Sequence, residues 1–149
     1  MNFQISEKVK LLNRMLSEID NLYQTLLISK NMSDSEFIVM FSILTLGEGC
    51  LQKDIAANGF MNKKTINATI KKLQKEGLIE LKAGKYPNMH IYLTEIGKQY
   101  IENSVIPIIK VENDVLNDMP AEVFELLVNG YSKYIENFKN SVVNFTNKN

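Results

Sequence analysis

The residues from Asn62 to Glu76 carry Lys63, Lys64, Lys71, Lys72 and Lys75 together with Asn62, Thr65 and Asn67. Ammonium groups meet phosphates, and short amide and hydroxyl side chains reach base edges, so these types suit holding a polyanion rather than breaking a bond. Read as a helix and set on a wheel, Ile70 and Leu73 fall within about 40 degrees of Ile66, and the three face a core. Lys64, Ala68, Lys71 and Lys75 lie opposite, with Asn67 on one flank and Lys72 and Thr65 on the other. Lysine faces on helices are often simply solvated, so the weight of this pattern depends on its surroundings.

Other reactive types are sparse. The chain has one cysteine, Cys50, and one histidine, His90, far apart in sequence, and two such residues do not make a zinc site without several carboxylates. Cys50 reads as a small core residue before it reads as an oxidation sensor. Met15, Met32, Met40 and Met61 fit core filling better than the border of a ligand pocket. Glu112, Asp114 and Asp118 sit among solvent-facing charges and read as surface rather than as a paired acid and base. No glycine-rich phosphate loop, nucleophile elbow or histidine-centred triad can be assembled. The sequence therefore predicts a protein that is not an enzyme and uses no metal or other cofactor.

Composition agrees with a folded binding protein. The chain has 149 residues, 45% of them apolar and 23% charged, which suits one domain with a real core and excludes disorder. No apolar run approaches the roughly 18 residues that cross a bilayer, and Met1 to Lys10 lacks the order of a signal peptide, so no membrane partner and a cytoplasmic location are expected. Net charge is +0, so any attraction for a polyanion must come from local clustering. A single arginine, Arg14, beside abundant asparagine and isoleucine, has the bias of an A·T-rich genome.

The elements that must position the lysine helix follow from periodicity. From Ile5, the residues Val9, Leu12, Leu16, Ile19, Tyr23, Leu26 and Leu27 recur at spacings of three and four, predicting a long amphipathic helix. Ser33 and Glu36 form a capping-box pattern, Phe37, Met40, Phe41 and Leu44 give the next buried stripe, and Gly47 with Gly49 ends it. Leu51 to Ala57 suits two helical turns, Asn58-Gly59 a turn, and Asn62 opens the lysine helix that Gly77 closes. Two short helices about a tight turn predict a helix-turn-helix. The period then changes to two, with Ile79 and Leu81, then Met89, Ile91 and Leu93, alternating with polar residues to give a hairpin whose connection, Ala83 to Asn88, forms a wing. Thr94 caps a helix carrying Ile96, Tyr100, Ile101 and Val105, with a kink predicted at Pro107. After Asp118 and Pro120 a final helix bears Phe124, Leu127, Val128, Tyr131, Ile135, Phe138 and Val142 on one stripe, with Gly130 a weak point.

Leu51-Gln52-Lys53-Asp54-Ile55-Ala56, Asn62 to Asn67, Leu73 to Ile79 and Ile91-Tyr92-Leu93-Thr94-Glu95-Ile96-Gly97 stand in this order between long terminal helices. In that arrangement the sequence resembles the MarR family of bacterial transcriptional regulators over nearly its whole length. The resemblance implies a mainly α fold with a small β wing: one domain over 1–149, with a winged helix-turn-helix at 33–97 and dimerisation helices at 1–31 and 98–149. It implies a homodimer that binds double-stranded DNA at two half-sites of a palindrome, commonly as a repressor, and that is often released by a small-molecule effector. The apolar surface of the first and last helices exceeds what one small winged domain covers, which independently favours association.

The DNA-contact set expected from the resemblance and the basic face is Gln52, Lys53, Asn62, Lys63, Lys64, Thr65, Asn67, Ala68 and Lys71 on the helices, with Lys82, Lys85, Asn88 and His90 on the wing. Family wings commonly carry an aspartate and, two residues on, an arginine that enters the minor groove; Lys85 and Pro87 stand there in this chain. Ala68 occupies a position that is arginine in many relatives. With Asn67 reading adenine and Ala68 meeting a thymine methyl, the expected operator is A·T-rich. The competing class is a winged helix used only for protein contact, its basic face meeting an acidic partner; zero net charge keeps that reading in play.

Overall fold

Side-chain oxygens start four of the helices, each accepting a backbone N–H three residues on: Ser6 from Val9 at 3.3 Å, Ser33 from Glu36 at 3.4 Å, Asn62 from Thr65 at 2.9 Å and Thr94 from Gly97 at 3.0 Å. In the computed structural model, which describes residues 3–58, 61–84 and 89–147, these caps punctuate a mostly helical chain. Its elements are α1 (Glu7–Ser29), α2 (Asp34–Leu46), β1 (Cys50–Leu51), α3 (Gln52–Asn58), α4 (Lys63–Lys75), β2 (Ile79–Ala83), β3 (Met89–Leu93), α5 (Glu95–Tyr100), a π-helical turn (Ile101–Val105), α6 (Ile106–Asn117) and α7 (Ala121–Thr146). The chain gathers into two units, Met1–Ile108 and Ile109–Asn149, and the winged region expected at 33–97 lies within the first.

The first unit holds the core. Leu27, Met32, Val39, Met40, Ile43, Ile55, Ile66, Ile70, Leu73, Ile79, Ile91, Ile101 and Val105 are buried in it. Three antiparallel strands lie in the order β1-β3-β2, with Ile79 opposite Leu93, Leu81 opposite Ile91, and Cys50 opposite Ile91 on the other side. The sequence predicts only the β2–β3 hairpin. Strand β1 is two residues long and pairs with a segment far along the chain, so no local alternation announces it.

Two expectations need correction. The buried stripe of α2 is Val39, Met40 and Ile43, not the predicted Phe37, Met40, Phe41 and Leu44; Phe37 is half-buried, and Phe41 and Leu44 are exposed. Helix α2 is apolar on nearly every side, so periodicity cannot choose its inner face. The kink expected at Pro107 takes the form of the π-helical turn before it, where the Ile106 N–H reaches the Ile101 carbonyl. Proline has no N–H for the Asn103 carbonyl, and the Lys30 ammonium donates to that oxygen instead at 3.3 Å.

Helix α5 is seated by contact with the end of α4. Thr94 Oγ1 donates to the Gly77 carbonyl at 2.6 Å, and a Cβ added to Gly97 would lie 1.9 Å from the Leu78 carbonyl oxygen, so only glycine fits there.

In the second unit, α7 has no buried residue: Phe124, Tyr131, Phe138, Val142 and Phe145 are all exposed on it, and Tyr134 stacks on Phe138 with ring centroids 5.9 Å apart. No helix among the described residues is long and apolar enough to cross a membrane.

Candidate nucleic-acid interface

Helix α4 presents the face that the wheel assigns to it. Ile66, Ile70 and Leu73 are at most 2% exposed, while Lys63, Lys64, Asn67, Ala68, Lys71 and Lys75 are exposed. The helix is firmly ended on both sides. At its start Asn62 Oδ1 accepts both the Thr65 N–H and the Thr65 hydroxyl, at 2.9 and 3.0 Å. At its end Gly77 takes a φ of 72°, and the Leu78 and Gly77 N–H groups return to the Leu73 and Gln74 carbonyls. The helix is thus a rigid presenter of four lysines, Lys63, Lys64, Lys71 and Lys75, that make no ion pair among the described residues.

The remaining contact candidates divide into those turned outward and those engaged within the chain. In α3, Ile55 anchors the helix in the core, Lys53 is exposed and Gln52 half-buried. Thr65 is half-buried and tied to Asn62, which keeps its amide N–H groups for an outside partner. On the wing, Lys82 Nζ lies 2.7 Å from Glu80 Oε1 and 4.7 Å from the centre of the Tyr92 ring. The hydrogen bond to Glu80 holds the Lys82 ammonium above its usual range and spends part of its attraction for phosphate. His90 Nδ1 lies 2.6 Å from the Gly49 carbonyl. A carbonyl only accepts, so Nδ1 carries the proton and Nε2 is an acceptor while the ring is neutral. Lys85 and Asn88 lie outside the described residues.

The capping-box residue Glu36 has a second partner that the sequence does not announce. Glu36 is only 5% exposed; its Oε1 meets Lys72 Nζ at 2.8 Å and its Oε2 accepts the Ser33 N–H and hydroxyl at 2.9 and 2.5 Å. Burial pushes its pKa up, but the hydrogen bonds from Lys72 and Ser33 outweigh that, and the carboxyl is held below its ordinary value. The capping-box pattern accounts for Ser33 alone. The signal for the rest is the place of Lys72 on the flank of α4, within reach of the buried side.

Cys50 is buried, and burial, aided by the Asp54 carboxylate, pushes its thiol pKa up, away from the thiolate that an oxidation sensor needs. Among the described residues no group of three His, Cys, Asp or Glu is placed to hold a metal ion. Met32 and Met40 are core residues and Met15 is exposed.

A short helix, a lysine-faced second helix and a hairpin paired with β1, the strand that leads into the first, define a winged-helix protein. Solved structures make the class narrower. A MarR family regulator from Neisseria meningitidis matches with a TM-score of 0.81 at 20% identity, covering 93% of this chain and 99% of that one. The PcaV transcriptional regulator from Streptomyces coelicolor, solved with its natural ligand, matches at 0.69 and 11% identity, covering 90% and 98%. BpsR of Bordetella bronchiseptica, whose DNA binding is regulated by 6-hydroxynicotinic acid, matches at 0.68 and 15% identity, covering 87% and 98%. No family model and no curated protein matches the sequence. The chain has the fold of the MarR family regulators, as the resemblance in its sequence implies.

Proposed function

We propose that the chain is a sequence-specific, DNA-binding transcriptional regulator of the MarR family, acting without chemistry. The observation that carries this reading is the outer face of α4, where Lys63, Lys64, Lys71 and Lys75 surround Asn67 and Ala68 on a helix held rigidly opposite the core. Lysines of this kind neutralise phosphates and set affinity, and Asn67 and Ala68 supply the base contacts. Without an arginine on the helix, the bidentate arginine contact to guanine is absent, and with Asn67 for adenine and Ala68 for a thymine methyl an A·T-rich operator is favoured. Gln52 and Lys53 of α3 extend the contacts along the backbone, and the wing adds Lys82, Lys85, Asn88 and His90.

The working form is a homodimer on a palindromic site, with residues 1–31 and 98–149 as its dimerisation helices around the winged part at 33–97 of one domain. Val9, Met15, Ile19 and Leu22 on α1 and Phe124, Leu127, Tyr131 and Phe138 on α7 are exposed in the single chain, and such apolar surface favours association. A dimer seated on a promoter blocks polymerase without further contacts, which makes repression the simplest mode of action. The regulation of BpsR by a small molecule, and the ligand solved with PcaV, support release by a small effector. A bacterial protein with this task works where the chromosome is, in the cytoplasm.

Selection of bound duplexes from a random pool tests the reading: an A·T-rich palindrome is expected, and a pool that never enriches would overturn it. Zero net charge and the pairing of Lys82 with Glu80 favour a second reading, a winged helix that contacts an acidic protein. Duplex binding that weakens steeply with salt separates the two, because only phosphate contacts release counterions.

A further inference from the structure

The four free lysines of α4 and Lys72 belong to the same helix, yet they stand in different electrostatic settings. Lys72 is half-exposed, with 54% of its side chain open to solvent, but its ammonium is directed to a carboxylate that is 6% exposed. That carboxylate has no spare oxygen: Oε2 is occupied by Ser33 of the α2 cap and Oε1 by Lys72. Glu76 is a second acidic neighbour of Lys72, at 3.9 Å. Helices α2 and α4 are in contact, and most of their other buried side chains are apolar, Val39, Met40 and Ile43 on one and Ile66, Ile70 and Leu73 on the other; of the buried polar pair Ser42 and Thr69, the Thr69 hydroxyl returns to the Thr65 carbonyl of its own helix. Apolar contact is non-directional and tolerates small rotations of a helix about its axis. A charge-assisted hydrogen bond from a capped, buried carboxylate is directional and does not.

We propose that Glu36 and Lys72 are a positioning pair that sets the rotation of α4 on α2, and that Lys72, unlike Lys64 and Lys71, is withheld from phosphate. The inference deepens the DNA-binding reading and rests on it. Rotation of α4 decides whether Asn67 and Ala68 or the flanking lysines point outward, so the pair governs discrimination between sequences more than affinity for DNA as such. Through this pair the buried negative charge of Glu36 helps specific binding to a polyanion.

The test uses the full chain as Lys72→Gln, Glu36→Gln and the double variant, with Lys64→Gln as a phosphate-contact control, on a selected operator and a random duplex over a salt series. Glutamine at 36 still accepts from Ser33, so the α2 cap survives. Lys64→Gln is expected to lower the slope of log affinity against log salt by about 0.9 per protomer. Lys72→Gln leaves that slope unchanged while the preference for operator over random duplex falls by about tenfold; Glu36→Gln lowers the preference as much, as each breaks one coupled contact, and by releasing Lys72 it steepens the slope by up to about 0.9 per protomer. The double variant is no worse than either single. A slope lowered by Lys72→Gln as by Lys64→Gln, tighter operator binding by Glu36→Gln, or losses that add in the double variant would overturn the proposal. Urea unfolding of the same variants without DNA keeps the two readings apart. If the wild type shows no operator preference, the DNA reading fails, yet equal losses of stability in singles and double still support the clamp and additive losses overturn it.

Discussion

Helices α4 and α7 carry the same kind of pattern, large apolar residues at spacings of three and four, and the structure treats them oppositely. In α4 the stripe is closed, with Ile66 and Leu73 at 0% exposure, and the outer face is polar. In α7, within its own unit, Phe124, Phe138 and Phe145 remain 42%, 58% and 70% exposed. One stripe builds the core that, on our reading, fixes an interface for DNA. The other is surface that, on our reading, waits for a second copy of the chain. Periodicity reports that a face is apolar; it does not report what covers it.

Substitutions along the two stripes should therefore behave differently. Ile66→Ala empties a fully buried site and is expected to cost about 4 kcal/mol of folding stability, read by urea unfolding; a loss near zero would mean that the α4 stripe is not core. Gly97→Ala drives a methyl into the Leu78 carbonyl and is expected to cost about 3 kcal/mol, with the melting temperature as the readout; an unchanged value would remove the close seat of α5 on the end of α4. Acid should act next, and less strongly. The Glu36 carboxyl is held below its ordinary value in the folded chain, so its stabilisation is fully present above the pKa of the unfolded carboxyl and is lost as pH falls through the folded value. Glu36→Gln is accordingly expected to flatten the acid limb of the stability profile, and an identical limb in wild type and variant would contradict the bridge. On α7, Phe138→Ser should change unfolding of the monomer by less than about 0.5 kcal/mol, as an exposed site does, while light scattering at micromolar concentration shows the dimer weakened. A stability loss as large as that of Ile66→Ala would make α7 a core helix after all.

Much of this was legible in the sequence. Ser33, Asn62 and Thr94 announce their helices because capping is a local act between residues three apart. The outward face of α4 follows from its one clean stripe. Helix α2 was misread because Phe37, Ile38, Val39, Met40, Phe41, Ile43 and Leu44 surround it with apolar side chains, and the choice among them belongs to tertiary packing. Strand β1 and the Glu36–Lys72 bridge were invisible for the same reason, as each joins residues distant in sequence. The engagement of Lys82 with Glu80 and of His90 with Gly49 was hidden too: composition counts charges, but only coordinates show which are already paired.

On our reading the lysine face of α4 binds DNA. Its most direct test is duplex binding by wild type and by a Lys64→Ala, Lys71→Ala variant at two salt concentrations. Operator binding is expected to weaken steeply with salt and, in the variant, to fall by about a hundredfold or more, with the salt slope lowered by about 1.8 per protomer, for two lost phosphate contacts. Equal binding by wild type and variant, or binding indifferent to salt, would contradict it.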